Sequence, residues 1–178
     1  KGDRVAIIVF AGTSHLYLPL TTDYETALLF LNDIDTEIIP TQGTALSKAI
    51  KTGINAFTDE KDKHKIMLLV SDGEDHEGEA VELASMSKKN GLKIYTVGVG
   101  SELGGLIPEK NRHDKITKYK RSSDGKLITT KMNNSILKEI SNSGGGKFFW
   151  FDNNRDTHLQ IISAIDRMDK KTISSHEY

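Results

Sequence analysis

Short apolar runs alternate with helix-like segments along most of the chain, and this alternation predicts a layered α/β fold. Near-continuous apolar runs are typical of strands that are covered on both faces, as in a parallel sheet. Such runs occur at Val5–Phe10, Ile66–Val70, Ile94–Val99 and, more briefly, Phe148–Phe151. The segment His15–Leu20 alternates instead, and Pro19 cannot donate a ladder hydrogen bond, so this segment is predicted as an edge strand.

Amphipathic helices are predicted between these strands. Thr22 and Glu25 have the spacing of a capping box, which predicts a helix that begins there and ends near Asn32. Thr44 begins a second helix, whose apolar residues recur at helical spacing. Three more helices are predicted, one over Glu79–Lys89, one capped by Asn134, and one capped by Asp156 with Leu159, Ile162, Ile165 and Met168 on one stripe.

Residues 101–132 interrupt this alternation and are predicted as an insertion. Lys115–Lys120 and Lys126–Lys131 have the pattern of two exposed strands that a Ser-Ser-Asp-Gly turn joins into a hairpin. The basic stretch Lys110–Arg121 contains no aromatic residue except Tyr119, so we interpret it as a solvated hairpin face. The chain is predicted to form one α/β domain over residues 1–170, followed by a polar tail at 171–178. Its fold class is a doubly wound, mostly parallel sheet with helices on both faces and one antiparallel edge strand.

Composition narrows the classes of function. The 178 residues include 24 Lys and Arg against 25 Asp and Glu, and this balance argues against a nucleic-acid partner, which usually binds a basic excess. There are no cysteines, so disulfides, thiolate metal sites and cysteine nucleophiles are excluded. No apolar run approaches the roughly 20 residues that a membrane-spanning helix needs.

Three segments are expected to converge at the carboxyl ends of the strands, where open α/β sheets bind ligands. They are Pro40–Thr44, Ser71–His76 and Gly98–Ser101. Asp72 directly follows a buried strand, and an acidic rim of Glu74, Asp75, Glu77 and Glu79 surrounds it. Carboxylate and hydroxyl oxygens of this kind suit hard cations such as Mg²⁺, Ca²⁺ or Mn²⁺.

A structural interpretation of these residues stays open beside the metal site. Carboxylates are also common at helix N-termini, where they interact favourably with the positive end of the helix dipole. Thr44 could be an N-cap rather than a ligand, and His76 could be an uncommitted loop histidine.

Several of these segments together resemble the von Willebrand factor type A (VWA) domain, most closely that of the bacterial Bat (aerotolerance-operon) membrane proteins. The segments are Val-Ala-Ile-Ile-Val-Phe-Ala-Gly, Leu-Pro-Leu-Thr-Thr-Asp-Tyr, Pro-Thr-Gln-Gly-Thr, Leu-Leu-Val-Ser-Asp-Gly-Glu-Asp and Lys-Ile-Tyr-Thr-Val-Gly-Val-Gly-Ser. The resemblance implies a metal-ion-dependent adhesion site (MIDAS) made of an Asp-x-Ser-x-Ser motif after the first strand, a Thr in a later loop and an Asp after the fourth strand. Thr44 and Asp72 match the second and third parts.

The first part of that motif is absent, because no Asp-x-Ser-x-Ser occurs in these residues. Val5–Phe10 matches the second strand of the family, so the first strand and the first helix are expected to be missing upstream. The strands on either side would then have unpaired edges, which favour pairing with another chain and predict a homodimer through the open sheet edge.

The resemblance implies a metal-dependent protein-interaction module and not an enzyme. A partner carboxylate would complete the coordination of Mg²⁺, or of Mn²⁺ or Ca²⁺, and metal binding would be weak or absent in this fragment. The residues expected to contact the partner are Gln42, Gly43, Gly73, Glu74, Asp75 and His76. The family also implies a bacterial membrane anchor through segments outside this chain, with the domain on the periplasmic side.

Two alternatives stay open. One is a structural VWA domain with a degenerate site, since the serine motif is absent. The other is a metal-assisted hydrolase or phosphoryl-transfer protein that uses Asp72, with His76 as general base. No second catalytic group converges on them in the sequence, which argues against this enzyme.

Overall fold

The computed structural model describes residues 2–41, 43–57, 64–74, 78–101, 104–106, 108–110, 115–122, 124–127, 129–130, 132–151 and 156–174. The strands are β1 (Val5–Phe10), β2 (Ser14–Thr21), β3 (Lys65–Ser71), β4 (Leu92–Gly98), β5 (Gly105–Leu106), β6 (Pro108–Lys110), β7 (Ile116–Tyr119), β8 (Thr129–Thr130) and β9 (Gly145–Trp150). The helices are α1 (Tyr24–Asn32), α2 (Leu46–Ala56), α3 (Ala80–Lys89), α4 (Asn134–Ser143) and α5 (Thr157–Ser174).

A parallel three-stranded sheet in the order β3-β4-β9 carries the main core, which confirms the predicted α/β class. On one face, Met67, Leu69 and Ile94 pack with buried residues of α2, α3 and α4. On the other face, Tyr95 and other residues of β4 and β9 pack against α5. Helices therefore lie on both faces, because successive side chains of each strand point to opposite sides.

A second, two-stranded antiparallel sheet is formed by β1 and β2, as the edge-strand pattern of His15–Leu20 predicted. Helix α2 joins it to the first sheet: a Cβ built on Gly53 would lie 2.9 Å from Met67 Sδ and 3.8 Å from Ile8 Cδ1. The start of α2 is next to the end of β1, where the Ala45 N–H donates to the Ala11 carbonyl (2.8 Å). The end of α2 is next to the start of β3, since Lys65 Nζ donates to the Phe57 carbonyl (3.0 Å). Because α2 runs opposite to both strands, β1 and β3 are parallel.

The sheet is interrupted between β1 and β3. Among the residues that the structure describes, β1 pairs with β2 and β3 pairs with β4, and no register joins β1 to β3. In this part of the chain, one edge of each strand therefore carries backbone groups without a ladder partner.

The face of the molecule opposite α2 is only partly covered. Helix α1 packs on this face of β1–β2 through the edge-to-face contact of Phe30 with Tyr17, and α5 packs on it at β4 and β9. Between these helices, Leu68 and Val70 of β3 are 43% and 48% exposed. On α1, Leu28, Leu29 and Leu31 are 59%, 70% and 54% exposed. Large apolar side chains are therefore exposed on both elements of this face.

The covered-strand prediction for Val5–Phe10 is only partly correct. Of its six residues only Val9 is buried, and the others are intermediate. The physical reason is the unpaired edge of β1 and the thin cover over this part of the sheet.

Helix α1 ends at Asn32 as predicted, but Thr22 is not its cap. The N-cap is Asp23, whose carboxylate accepts from the Thr26 N–H (3.0 Å) and the Thr26 hydroxyl (2.7 Å). These two hydrogen bonds favour the ionised carboxylate, and they hold the pKa of Asp23 below its ordinary value.

The predicted hairpin of the insertion is partly wrong. The turn is present, with Arg121 and Leu127 bridged across it. Beyond this bridge, however, β7 pairs with β6 and β8 pairs with β5. Two small ribbons replace the single hairpin, because the earlier segment 105–110 supplies both partner strands.

The apolar stripe predicted for the last helix is wrong at Leu159 and Ile162, whereas Ile165 is half-buried and the side chain of Met168 lies outside the described part of the chain. Ile161 and Ala164 of α5 pack against the sheet, whereas Leu159 and Ile162 are 53% and 52% exposed. The helix begins at Thr157, whose hydroxyl donates to the Trp150 carbonyl (3.0 Å). This contact with the end of β9 fixes the rotation of the helix.

Candidate functional site

The loops at the carboxyl ends of β1, β3 and β4 lie at one edge of the sheet, because these three strands are parallel. We call this edge, with its described loop residues 11–13, 39–41, 43–45, 71–74 and 98–101, the carboxyl edge. The segment 132–133, which leads into α4, joins it through the Asn133 N–H, which donates to the Asp72 carbonyl (2.7 Å). The two predicted metal ligands, Thr44 and Asp72, are both on this edge.

Thr44 lies in the loop before α2 and does not cap that helix. The N-cap is Ala45, which makes no side-chain capping hydrogen bond. The loop is held by backbone contacts with the end of β1, where the Gly12 N–H donates to Thr41 (3.0 Å). Gly43 has φ of +124°, and a Cβ there would lie 3.5 Å from Gly12 Cα. The half-buried Thr44 hydroxyl is therefore not used as the helix cap that a structural interpretation required.

Asp72 directly follows β3 in a loop that backbone hydrogen bonds fix. The Val99 N–H donates to the Ser71 carbonyl (3.0 Å), and the buried Ser71 hydroxyl accepts from the Gly73 N–H (3.0 Å). The carboxylate of Asp72 is half-buried and accepts through Oδ1 from the Glu74 N–H (3.2 Å). Within the described residues this is its one hydrogen bond, so the second oxygen is available to a ligand.

Gly73 is buried under the segment that leads into α4. Its φ is +77°, and a Cβ would overlap the Asn133 carbonyl oxygen and lie 3.0 Å from Leu137 Cγ. A glycine is required here both by the backbone conformation and by the space. It lets the loop pass below Asn133, which places Asp72 at the edge.

The remaining predicted contact residues are only partly described. Glu74 is half-buried beside Asp72, and Gly43 is exposed. Gln42, Asp75 and His76 lie outside the described residues. In the part of the chain that the structure describes, no three His, Asp or Glu side chains form a group that could hold a metal ion.

Lys48 is a residue of this edge that the sequence did not indicate. It lies one helical turn after Thr44, and its Nζ donates to the Gly12 carbonyl at the end of β1 (3.0 Å). Its position in the first turn of a helix could have suggested this, because side chains there reach back to the preceding loop.

The side-chain oxygens on this edge are of the kind that a hard divalent cation binds, but two of them are too few to fill its coordination sphere. Thr44 and Asp72 offer a hydroxyl and a carboxylate oxygen, which Mg²⁺ accepts together with waters in octahedral coordination. Two protein ligands leave most positions to waters, to a partner and to residues elsewhere in the protein. The Lys48 ammonium adds positive charge at the same edge, which disfavours a cation.

Two solved structures are similar to this chain over nearly its whole length. The conserved hypothetical protein BatB from Bacteroides thetaiotaomicron is 34% identical with a TM-score of 0.88, and the match covers 96% of this chain and 81% of that chain. An aerotolerance-related membrane protein from Bacteroides fragilis NCTC 9343 is 33% identical with a TM-score of 0.86, covering 94% of this chain and 81% of that chain.

Two more distant proteins extend the comparison. The mussel byssus protein PTMP1, solved with a zinc-occupied MIDAS motif, has a TM-score of 0.60 at 15% identity over 89% of this chain and 34% of its own, which shows a shared fold. An uncharacterised protein of Borreliella burgdorferi is 26% identical over 153 residues, which are 84% of this chain. This chain spans less than half of that relative, since the match covers 42% of it.

The sequence model of the von Willebrand factor type A domain matches residues 1–164. Domains of this family are generally non-enzymatic modules for protein–protein interaction. In the described residues, no helix is long and apolar enough to cross a membrane. The match covers most of the chain, and the fold agrees with it, so this chain belongs to the von Willebrand factor type A domain family and is similar to the Bat proteins.

Proposed function

We propose that this domain binds a partner protein at its carboxyl edge through a divalent metal ion held by Thr44 and Asp72. The observation that supports the proposal is that a side-chain hydroxyl and a carboxylate lie on loops of one edge, and that backbone hydrogen bonds hold both loops. Thr44 does not cap α2, and the Asp72 carboxylate keeps one oxygen without a donor among the described residues.

Mg²⁺ is the ion that these ligands suit best, with Mn²⁺ or Ca²⁺ as substitutes. When bound, the ion would supply an open coordination position for a carboxylate of the partner. The chain's own residues orient it, because Ser71, Val99 and Asn133 fix the loop that carries Asp72. Gln42, Gly43, Gly73, Glu74, Asp75 and His76 are the residues that we expect around the partner.

We further propose that the complete domain has one more strand between β1 and β3, followed by a helix on the uncovered face. The two edges are parallel and unpaired, and α2 spans them at Gly53. The exposed Leu68 and Val70 are what such a helix would cover. The carboxyl end of that strand would bring further ligands beside Asp72, so we expect the present 178 residues to bind metal weakly.

The relative from Bacteroides fragilis is named as a membrane protein. By analogy, we propose that the domain is tethered to a bacterial membrane by segments outside these residues, on the periplasmic side.

A structural domain with a degenerate site is the second candidate. It is favoured by the Lys48 ammonium beside Gly12 and by the absence of a three-ligand group among the described residues. In that case the protein would bind its partner equally well with and without metal.

The two candidates are separated by capture of partner proteins on the immobilised domain from a bacterial membrane extract. We expect one protein to bind in Mg²⁺, to be released by EDTA and to be lost with Asp72→Ala. Glu82→Ala is the matched control, since Glu82 is an exposed carboxylate on α3. Capture that is unchanged by EDTA and by Asp72→Ala would contradict the metal-dependent proposal and support the degenerate structural domain.

A further inference from the structure

The charges of the molecule are segregated between the insertion and the rest. Residues 101–132, which we call the basic arm, contain eight Lys and Arg and four Asp and Glu, a net charge of +4. The rest of the chain contains 16 basic and 21 acidic residues, a net charge of −5. The whole chain is therefore nearly neutral, although the basic arm is strongly basic and the rest of the chain is acidic.

The basic arm is attached at the carboxyl edge. It leaves the sheet after β4 and returns at Met132, whose N–H donates to the Ser101 carbonyl (3.1 Å). The next residue, Asn133, donates to the carbonyl of Asp72 (2.7 Å). A partner that contacts Asp72 is therefore next to the base of the arm.

None of the ribbon residues whose burial the structure describes is buried. All four residues of β7 are exposed, and so are both residues of β5. Isolated two-stranded ribbons are only marginally stable in water. The arm nevertheless keeps apolar side chains at its surface, since Ile116, Tyr119 and Leu127 are 54%, 41% and 45% exposed. Such side chains on an unsupported ribbon indicate a surface that a partner covers.

A cavity of about 440 Å³ on the arm combines both kinds of side chain. Tyr119 and Leu127 form apolar walls, and Lys118 and Arg121 provide cations. Lys118 is paired with Glu109 (3.0 Å), which also lines the cavity. The Arg121 guanidinium donates to the Gly125 carbonyl (2.7 Å) but has no carboxylate partner among the described residues. It can therefore still accept an acidic group, which arginine binds in a bidentate manner.

We propose that the basic arm is a second docking surface, which binds an acidic polypeptide segment with interspersed apolar residues. The proposal rests on the proposed function in one respect: the segment belongs to the same partner that reaches the carboxyl edge. Carboxylates of the segment pair with Arg121 and Lys120, and an apolar side chain lies against Tyr119 and Leu127. The positive arm also steers an acidic partner toward the edge.

A polypeptide is favoured over an anionic membrane because the arm is attached beside the protein-docking edge. The cavity is also sized for side chains.

The test measures fluorescence anisotropy of a labelled synthetic peptide in which Glu alternates with Leu and Phe. We expect the protein to bind this peptide at least about tenfold more tightly than the same peptide with Gln for Glu, and to lose affinity between roughly 50 and 300 mM NaCl. Lys120→Glu/Arg121→Glu should weaken binding by at least about tenfold, and Tyr119→Ala by several-fold. Lys89→Glu/Lys147→Glu is the matched control, with the same charge change at exposed sites on α3 and β9, and should change affinity by less than about twofold.

Asp72→Ala separates this proposal from the metal-dependent one. The variant should keep its affinity for the peptide, since the arm does not need the ion. An equal loss of peptide affinity in the arm variant and in the charge control would overturn the proposal. Equal binding of the Glu and Gln peptides would also overturn it. Binding to phosphatidylglycerol vesicles without preference for the acidic peptide would assign the arm to membranes instead and would also overturn it.

Discussion

At the residue scale, the position of Asp72 depends on its neighbour Gly73. The loop after β3 turns below Asn133, and only a residue without a side chain can pass there with a φ of +77°. The same turn lets the Asn133 N–H reach the Asp72 carbonyl. A side chain at position 73 would therefore move the candidate ligand as well as strain the loop.

We predict that Gly73→Ala lowers the free energy of unfolding by about 2–4 kcal/mol, since left-handed backbone and overpacking both contribute. Gly91→Ala is the matched control: its φ is +79°, but nothing lies within 4 Å of a Cβ there. That variant should lose only about 1 kcal/mol. Urea unfolding measures the stability of both variants. Equal losses of unfolding free energy would show that the crowding under Asn133 is unimportant.

The Thr44→Val variant tests whether the Thr44 hydroxyl is a metal ligand or a helix cap. Loss of an N-cap costs about 1 kcal/mol. Since Ala45 is the N-cap of α2, we predict less than about 0.5 kcal/mol of change in urea unfolding, because the site is half-buried and the shapes are similar. Mg²⁺-dependent capture of the partner should nevertheless fall, because the variant lacks the hydroxyl that would bind the ion. A destabilised variant with undiminished capture would assign Thr44 a structural role.

The sequence predicted where these residues lie but not how they are held. Asp72 could be placed at the end of β3 because the apolar run Ile66–Val70 ends before it. The role of Gly73 depends on Asn133, which is 60 residues away in the sequence, and no local pattern contains that contact. The cap of α1 was missed by one residue, since Thr22 and Asp23 are both good capping residues and the local geometry chose Asp23.

At the element scale, α5 shows how tertiary contacts decide which face of a helix is buried. A stripe through Leu159 and Ile162 is as regular in sequence as one through Ile161 and Ala164. Packing against Tyr95, Val97 and Phe149 selects the second. Leu159 and Ile162 of the first stripe are left exposed.

We predict that Ile161→Lys lowers the free energy of unfolding by about 2–3 kcal/mol, because it removes a packed apolar side chain. Ile162→Lys, the same substitution on the exposed side of the same helix, should change it by less than about 0.5 kcal/mol. Thermal and urea unfolding provide the comparison. A larger loss at position 162 would contradict the orientation of α5 described above.

At the scale of the whole molecule, the sheet is interrupted between β1 and β3 and one face is left partly open. That the main strands are parallel could be predicted from the apolar runs, since helices connect them. The unpaired edges followed only from the resemblance to the VWA domain. The pairing of the small ribbons was not predictable, because their two-residue strands carry too little pattern to select partners.

The open face predicts self-association of these 178 residues. We expect sedimentation velocity at micromolar concentrations to show a concentration-dependent dimer, since Leu68 and Val70 are exposed beside a free strand edge. Leu68→Lys/Val70→Lys should restore the monomer. Met86→Lys is a control on the opposite face, where Met86 is 50% exposed on α3, and should leave association unchanged. A monomer at all concentrations would contradict this prediction.

Amide NMR with substoichiometric Mn²⁺ can locate a metal ion bound by Thr44 and Asp72. Paramagnetic broadening detects even a weakly bound ion and locates it. We expect the amides of Gly43, Thr44, Gly73 and Glu74 to broaden first and excess Mg²⁺ to reverse the broadening. Asp72→Ala should abolish the broadening, whereas Glu82→Ala should not. Broadening that centres elsewhere, or that is unchanged in Asp72→Ala, would contradict a metal site at this edge.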